Sequence, residues 1–344
     1  MSLAYFPGCA ATGTGRELNS STSAACAAYG IDLVDIPGWV CCGASAAHMT
    51  SAALARSLPA VSLGKARKLD VDGVLTACAA CYNRLKITEL GIRDNPRVRA
   101  ECEQATGEKL GGELAVYHVV EVFDPVRVGA RRVSSDGPHS SRARPHPRSA
   151  ASLRTTPSPL AEWGNGPEPV EGPGGEVGVG VGASADGETS AGRLLPSSPL
   201  QGLKVACYYG CLLTRPNEVS VDPDPVNPSV MDELVAACGL DPVDWPYKTE
   251  CCGASMVLPR PESVSRLSGR LLDAATACGA GAIVVACPLC HSNLDLKQPT
   301  ARRASTESRP VPVLYLTEVL ALALGVPESK LDLGRHTVPV PALA

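Results

Sequence analysis

Short apolar runs separated by longer helical patterns organise most of the chain. In the first third, apolar residues cluster at 3–6, 31–36 and 73–77, with alanine-rich or amphipathic stretches between them. Brief apolar runs bounded by Gly or Pro predict buried strands, and their alternation with helices predicts parallel sheets. Residues 1–125 are therefore predicted to form one α/β domain of a short, mainly parallel sheet flanked by helices.

The same pattern predicts where the helices begin and end. Thr12 or Thr14 is expected to cap a helix that ends at Gly30, with Cys9 in the loop before it. Ser45 is expected to open a helix that continues to about residue 69, with an interruption at Pro59. Further helices are predicted at 82–90, 96–106 and 116–123.

From residue 201 the pattern repeats. Strands are predicted at 205–209 and 282–286, helices at 228–238 and 263–278, and residues 314–324 are expected to close the unit. Glu121 near the end of the first unit matches Glu318 in the second. The chain is predicted to be an internal duplication, with a second α/β domain at residues 201–326.

The segment between the two units has a different composition. Residues 126–200 begin with many arginines and continue as a Gly, Pro, Ser and Glu mixture with almost no apolar periodicity. Such a segment buries too little surface to offset an ordering entropy of about 1–2 kcal/mol per residue. It is predicted to be a disordered linker, and residues 327–344 are expected to form a loose tail.

Charge and cysteine content narrow the class of function. The net charge is -4, and the basic residues form no stripe with interleaved aromatics, so nucleic acid is excluded as the expected partner. No export signal or membrane span is visible, which predicts a cytoplasmic protein without direct membrane insertion. Fifteen cysteines in a reducing compartment favour metal binding over disulfides, and an odd number fits a complete disulfide framework badly.

Ten cysteines fall into two ordered sets around repeated Cys-Cys-Gly-Ala-Ser sequences. Thirty-one residues separate Cys9 from Cys41 and thirty-nine separate Cys211 from Cys251; each pair is followed, after about thirty-five residues, by a Cys-x-x-Cys. Adjacent cysteines are poor disulfide partners for each other. The first set is Cys9, Cys41, Cys42, Cys78 and Cys81, and the second set is Cys211, Cys251, Cys252, Cys287 and Cys290.

Five thiolates per set exceed what ordinary sites need. A structural zinc and a cubane 4Fe-4S cluster each take four ligands. The extra thiolate is explained if one sulfur of the adjacent pair bridges two irons, which describes a non-cubane cluster. Zinc sites or four-cysteine cubanes with a spare cysteine remain alternatives. The other five cysteines are interpreted as small buried hydrophobes: Cys26, Cys102, Cys207, Cys238 and Cys278.

The duplicated pattern, with Gly after each cysteine pair, resembles the cysteine-rich CCG domain. The two-copy arrangement, opened by Phe-Pro-Gly-Cys9 and Tyr-Tyr-Gly-Cys211, resembles the B subunit of heterodisulfide reductase. This resemblance implies that each set binds a non-cubane 4Fe-4S cluster. It further implies that a small-molecule disulfide is reduced between the two clusters, with Cys41, Cys42, Cys251 and Cys252 acting through them.

The resemblance also implies partners. Electrons would come from a ferredoxin-like iron-sulfur subunit, equivalent to the C subunit of heterodisulfide reductase, with a flavoprotein subunit further upstream. The reason is that this chain has no Cys-x2-Cys-x2-Cys-x3-Cys-Pro run of its own. Two other functions remain open. One is an electron-transfer subunit of a quinone-linked dehydrogenase of the glycolate, lactate, succinate or glycerol-3-phosphate type, and the other is a zinc-stabilised scaffold.

Several polar residues near the cysteines have both a functional and a structural interpretation. Three histidines are either proton donors to departing thiolates or structural groups: His48, His118 and His291. Asn83 and Asn293 follow the Cys-x-x-Cys sequences, where helix capping accounts for them. Three basic residues either contact an anionic substrate or are solvated charges: Arg84, Lys86 and Arg215.

Overall fold

A computed structural model describes residues 1–45, 47–111, 114–126, 128, 199–301 and 309–339. The side chains of His48 and Ser255 lie outside this description. The predicted linker, residues 126–200, also lies outside the described residues except for 126, 128, 199 and 200.

The first repeat is built on a four-stranded parallel sheet in the order β2-β1-β3-β4. Its strands are β1 Ser2–Tyr5, β2 Asp32–Asp35, β3 Val74–Thr76 and β4 Val116–His118. Leu3, Val74 and Leu75 are fully buried. Such short apolar strands are typical of parallel sheets that are covered on both faces.

Helices α1 to α7 connect and cover these strands. They are α1 Gly8–Ala11, α2 Arg16–Tyr29, α3 Ala47–Thr50, α4 Ala52–Ala66, α5 Ala79–Asp94, α6 Pro96–Thr106 and α7 Val119–Val122. Gly30 ends α2 in the left-handed conformation with φ 86°, as predicted for a glycine stop. Asn95 caps α6 by accepting backbone hydrogen bonds from Arg97 and Val98.

The second repeat has the same strand order, β6-β5-β7-β8, and is again parallel. Its strands are β5 Lys204–Tyr208, β6 Asp241–Pro242, β7 Ala282–Val285 and β8 Val313–Tyr315. Its α-helices are α8 Val230–Ala237, α9 Pro261–Ala277, α10 Pro288–His291, α11 Gln298–Ala301 and α12 Leu316–Ala323. A 3-10 turn at Ala254–Val257 and a π-helical turn at Ser292–Leu296 complete the region near the cysteines. The predicted α/β class and the duplication are confirmed.

Three of the helix predictions were wrong in detail. Gly15 precedes α2 without a side-chain cap, and Cys9 lies within α1 instead of a loop. The helix expected from Ser45 is divided at Ser51, whose extended backbone and hydroxyl cap α4, while Pro59 sits inside α4. Residues 116–118 form β4 because they pair with β3, and only 119–122 are helical.

Residues 327–339, expected to belong to a loose tail, pack against both repeats. Leu331 is fully buried. Arg335 pairs with Glu17 of α2 at 3.2 Å, and His336 pairs with Glu318 of α12 at 2.8 Å. A buried anchor and two ion pairs therefore fix a segment that the sequence, with its few apolar residues, did not mark as ordered.

The two repeats also contact each other directly. Helix α12 of the second repeat packs on α2 of the first, where the hydroxyls of Ser21 and Thr317 are 2.7 Å apart. The Ala79 amide donates to the Ala286 carbonyl at 3.2 Å. Within the described ranges, no helix has the length and apolar character needed to cross a membrane.

Candidate metal centre

In each repeat the structure brings the five predicted cysteines to the carboxyl edge of three neighbouring strands. Cys9 follows β1, the pair Cys41 and Cys42 follows β2, and Cys78 and Cys81 follow β3. Because β1 lies between β2 and β3, the three loops meet at one edge of the sheet, the usual position of ligand sites in open α/β sheets. The second set occupies the same places after β5, β6 and β7.

The first set has a buried part and an exposed part. The sulfur atoms of Cys42 and Cys81 are 3.4 Å apart, and the Cys81 amide lies 3.4 Å from the Cys78 sulfur. These three thiols are buried, whereas Cys9 and Cys41 are exposed. The first set therefore opens to solvent on the side of Cys9 and Cys41.

The second set repeats this arrangement with more cover. The sulfur atoms of Cys252 and Cys290 are 3.5 Å apart, and Cys211 and Cys251 each affect the pKa of the other. Cys252, Cys287 and Cys290 are buried, and Cys211 and Cys251 are partly buried. The same five positions thus converge in both repeats, with different exposure of the two outer thiols.

Tight turns after the cysteine pairs direct backbone N–H groups at sulfur. The Gly43 amide lies 3.4 Å from the Cys41 sulfur, and the Gly253 amide lies 3.3 Å from the Cys251 sulfur. Both glycines have positive φ, 74° and 90°, and a Cβ on them would meet Ala47 at 2.7 Å and Val264 at 2.8 Å. These glycines allow the turn and the close approach of the following helix. The turn after each cysteine pair thus supplies a backbone N–H group to the first sulfur of the pair.

Two other glycines lie against the thiols. A Cβ on Gly8 would be 2.8 Å from the Cys81 sulfur, and one on Gly210 would be 3.4 Å from the Cys290 sulfur. Both residues immediately precede the first cysteine of their set and have positive φ. They keep the space beside the buried sulfurs clear. Each set thus combines five thiols, glycines that leave space beside the sulfurs, and backbone amide donors. This combination fits an iron-sulfur cluster, whose usual ligands are cysteine thiolates.

Hydrogen bonding within each set favours the thiolate of some cysteines and raises the pKa of their partners. Hydrogen bonds with Cys41 and Cys81 lower the pKa of Cys42 to about 4. A hydrogen bond with Cys211 lowers the pKa of Cys251 to about 6, against the opposing effect of burial. The thiolate is the form of cysteine that binds metal, so each set holds a metal-binding form at neutral pH.

The two sets meet between the repeats. Cys78 of the first set and Cys287 of the second are both buried, and each thiol affects the pKa of the other. Their chain neighbours Ala79 and Ala286 form the backbone hydrogen bond between the repeats. A small pocket with room for roughly one water molecule borders this contact. It is lined by Ala79, Cys211, Cys252, Cys287 and Cys290 among others. The arrangement therefore brings one inner thiol from each repeat to the contact between the repeats, next to a pocket that the second repeat lines together with Ala79 of the first.

The two asparagines contact loops near the cysteines and are not helix caps. The Asn83 amide donates to the carbonyls of Leu212 and Arg215, which follow Cys211. The Asn293 amide lies 3.5 Å from the Cys252 sulfur and donates to the carbonyls of Cys252 and Ala254. The capping interpretation was wrong because these side chains point away from their own helices.

Two of the predicted histidines are buried structural groups, and the side chain of His48 lies outside the described residues. His118 is within 3.2 Å of the Ala286 carbonyl, across the contact between repeats, and burial lowers its pKa to about 4. His291 stacks on Tyr315, and burial lowers its pKa to about 3. Both are neutral at pH 7.

One polar residue near the second set was missed. His336 lies 3.4 Å from His291, and its two ring nitrogens face the Val313 carbonyl and the Glu318 carboxylate. Burial lowers its pKa, but Glu318 outweighs burial and the result is a rise to about 9. The repeated Glu121 and Glu318 were the available sequence signal, since each accepts a backbone hydrogen bond at the start of the closing helix.

The remaining cysteines follow the prediction with one exception. Cys26, Cys102, Cys207 and Cys238 are buried. Cys207 lies within β5, where its carbonyl accepts a hydrogen bond from Trp245, so it is separate from the second set. Cys278 is exposed because it caps the end of α9 at the surface, and its interpretation as a buried residue was wrong.

Two parallel α/β repeats, each with five thiols at one sheet edge, define a duplicated thiolate metal-binding protein. The family model for the cysteine-rich domain, CCG, matches this chain twice, at residues 3–86 and 205–295. The chain belongs to this cysteine-rich domain family and carries two copies of it.

Characterised relatives extend the similarity over nearly the whole chain. The 8-methylmenaquinol:fumarate reductase membrane anchor subunit of Wolinella succinogenes is 25% identical over 341 residues, covering 98% of this chain and 96% of the relative. The B subunit of the ferredoxin:CoB-CoM heterodisulfide reductase of Methanosarcina mazei is 25% identical over 343 residues, covering 98% and 93%. The predicted resemblance to the B subunit of heterodisulfide reductase is confirmed.

A solved structure supports the fold. The crystal structure of a hypothetical protein from Helicobacter pylori matches with a TM-score of 0.64 and 11% identity, covering 98% of this chain and 52% of that chain. This chain therefore spans about half the length of that structure. Family and relatives together identify the chain as an iron-sulfur protein of electron transport in the oxidoreductase class.

Proposed function

We propose that this chain is a disulfide-reducing iron-sulfur protein equivalent to the B subunit of heterodisulfide reductase. The first set, Cys9, Cys41, Cys42, Cys78 and Cys81, would hold one non-cubane 4Fe-4S cluster. The second set, Cys211, Cys251, Cys252, Cys287 and Cys290, would hold the other. When bound, the clusters supply one-electron redox chemistry and iron that has affinity for sulfur.

The contact between Cys78 and Cys287 is the observation that carries this proposal. It brings two sets of five cysteines together from opposite repeats, beside a small pocket lined by thiols of the second set. A disulfide has two sulfur ends, and a site with one thiolate cage on each side can accept one sulfur at each. The duplication then has a chemical explanation, because a single cysteine set could bind only one of the two thiols that the reaction produces.

The reaction is a two-electron reduction. The S–S bond of the substrate breaks, two electrons enter from a reduced iron-sulfur partner, and two protons complete the two product thiols. His118 and His291 are neutral and buried behind carbonyl contacts, so we assign the protons to solvent entering beside the exposed Cys9 and Cys41. The chain's own part is to position the two sets and to limit water at the buried thiols.

The proposal includes partners and a compartment. The relative from Methanosarcina mazei is by name one subunit of a larger reductase, and the name of that reductase begins with ferredoxin. We propose a ferredoxin-like iron-sulfur subunit, equivalent to the C subunit of heterodisulfide reductase, as the direct electron donor, with a flavoprotein subunit upstream. Cytoplasmic location is part of the same proposal, since the fifteen cysteines need a reducing compartment.

A second function is favoured by one relative. The similarity to the 8-methylmenaquinol:fumarate reductase membrane anchor subunit of Wolinella succinogenes covers 98% of this chain. In that function, the chain would pass electrons from a quinol-linked reaction to a partner and would bind no disulfide. The open side of the first set, at Cys9 and Cys41, would then face the electron partner.

Anaerobic reconstitution with iron and sulfide, followed by EPR spectroscopy, distinguishes these functions. We expect two cluster signals in the wild type, of which Cys42→Ala removes one and Cys252→Ala removes the other. Adding CoB-CoM heterodisulfide or glutathione disulfide should change the signals if a disulfide binds between the sets. Reduction by a menaquinol analogue, with signals that ignore both disulfides, would support the second function instead. Unchanged signals in both cysteine variants would show that the five-cysteine assignment is wrong.

A further inference from the structure

Arg84 and Asn293 occupy the same position in the two repeats but differ in charge. Each is the third residue after the last cysteine of its set, Cys81 and Cys290. Arg84 lies on α5, and Asn293 lies in the π-helical turn Ser292–Leu296. Because the five cysteine positions are the same in both repeats, this position is a clear chemical difference between the surroundings of the two sets.

Asn293 is in direct contact with the second set. Its side chain is 1% exposed, and its amide nitrogen is 3.5 Å from the Cys252 sulfur. The same nitrogen donates to the carbonyls of Cys252 and Ala254 at 3.2 Å. The group that faces the second set from this position is therefore neutral and held by backbone hydrogen bonds.

Arg84 presents a positive charge to the first set. It is partly buried, and its guanidinium donates to the Asn83 side chain at 3.0 Å. Asn83 in turn is held by the carbonyls of Leu212 and Arg215 from the second repeat. Arg84 lies on α5 one helical turn after Cys81, whose sulfur is 3.4 Å from the sulfur of Cys42. From this position the positive charge of Arg84 interacts with the Cys42 thiolate.

Other charges near the second set offset one another. Arg215 and Glu250 both act on Cys251, with opposite signs, and both are exposed to solvent. Exposed charges are screened by water and salt, whereas a partly buried guanidinium is screened less. The first set therefore lies in a more positive environment than the second.

We propose that the difference between Arg84 and Asn293 gives the two clusters different reduction potentials, so that the cluster of the first set is reduced first. This inference rests on the proposed function, because it requires a cluster in each set. Reduction adds one negative charge to a cluster, and a nearby cation stabilises that added charge. The more exposed first set would then take up each electron from the partner and hold it next to the second set.

Redox titration of the reconstituted full chain, followed by EPR, tests this directly. In Arg84→Gln, the midpoint potential of the first cluster should fall, with about a tenfold lower ratio of reduced to oxidised cluster at a fixed potential. That change corresponds to about 59 mV for a one-electron couple. Arg84→Lys keeps the charge and should remain close to the wild type. The second cluster should keep its potential in both variants.

Arg93→Gln is the matched control. It removes the same charge from the same helix, about 13 Å further along at 1.5 Å per residue. It should leave both potentials unchanged. As a second approach, Asn293→Asp replaces the amide with a carboxylate of nearly the same size and so adds a negative charge beside Cys252. It should lower the reduction potential of the second cluster only.

The outcomes separate this inference from the proposed function. If the wild type holds no iron, the proposed function fails and the inference fails with it. If both clusters are present and Arg84→Gln titrates like the wild type, the inference alone is overturned. An equal shift of both clusters in Arg84→Gln would also overturn it, because that would indicate a general structural change.

Discussion

The two cysteine sets have the same five positions but different surroundings. Cys9 and Cys41 of the first set are exposed, whereas their counterparts Cys211 and Cys251 are partly buried. The backbone before Cys9 is a Phe-Pro-Gly turn, while the Tyr-Gly turn before Cys211 is held by a network of buried side chains. Duplication has preserved the thiols, and the side chains around them have diverged to give one open and one covered set.

The cover of the second set depends on a buried ion pair. Lys248 and Asp232 are 3.0 Å apart, and the Tyr209 hydroxyl donates to Asp232 at 2.6 Å. The amides of Tyr209 and Gly210 donate to the Lys248 carbonyl at 3.0 Å. These bonds fix the strand end before Cys211 against the segment that leads to Cys251, so they hold the two outer thiols together.

Replacing Lys248 should have the largest effect on the difference in exposure between the outer thiols of the two sets. Lys248→Met leaves the partly buried Asp232 carboxylate without its cation, which lowers the unfolding free energy by about 3 kcal/mol. It should also make Cys211 react with iodoacetamide as readily as Cys9 in the cluster-free chain. Urea unfolding and mass spectrometry of the alkylated cysteines measure the two effects.

An exposed ion pair provides the control for Lys248→Met. Lys68 pairs with Glu108 at 2.6 Å, and the Lys68 side chain is 63% exposed. Lys68→Met should cost less than about 1 kcal/mol. Equal destabilisation by the two substitutions would show that the Lys248 pair has no special part in covering the second set.

His336 should make the stability of the second repeat depend on pH. Its pKa rises to about 9 in the folded chain, because Glu318 outweighs the effect of burial, against about 6.5 for an unperturbed histidine. Its contribution is fully present below pH 6.5 and is lost as the pH rises through 9, for a total of about 3 kcal/mol.

The difference between wild type and His336→Gln isolates this contribution from the titrating thiols. Unfolding free energies measured from pH 6 to 10 should show the wild-type advantage at low pH shrinking towards pH 9. Parallel pH profiles for the two proteins would mean that His336 is not charged in the folded state.

The smallest expected effect concerns the contact of residues 327–339 with the first repeat. Arg335 is 47% exposed and pairs with Glu17 at 3.2 Å. Arg335→Ala should lower the unfolding free energy by about 1 kcal/mol or less, since water screens the pair. A loss as large as that of Lys248→Met would show that this segment is a main link between the repeats.

The sequence was sufficient to predict the parts of the site that depend on local pattern and spacing. Repeated intervals placed five cysteines in each unit, and apolar runs ending in Gly or Pro placed most of the strands before them. The meeting of Cys78 with Cys287 depends on how two repeats pack. No sequence interval encodes that packing, so it could only be read from the structure.

Residues distant in sequence were the ones missed or misread. His336 reaches His291 across 45 positions, from a segment whose composition resembles a loose tail. The sequence repeats a glycine after each cysteine pair, but a Cβ on Gly43 or Gly253 would meet Ala47 or Val264 and not a sulfur. Gly8 and Gly210 lie beside the sulfurs instead, because the turn after β1 and β5 passes over the Cys-x-x-Cys segment.

The metal and sulfide content of the anaerobically purified full chain tests the central claim most directly. Two 4Fe-4S clusters predict about eight irons and about eight acid-labile sulfides per chain, with EPR signals from both clusters. About two zincs per chain with no iron would contradict the account, and would instead mark both cysteine sets as structural zinc sites.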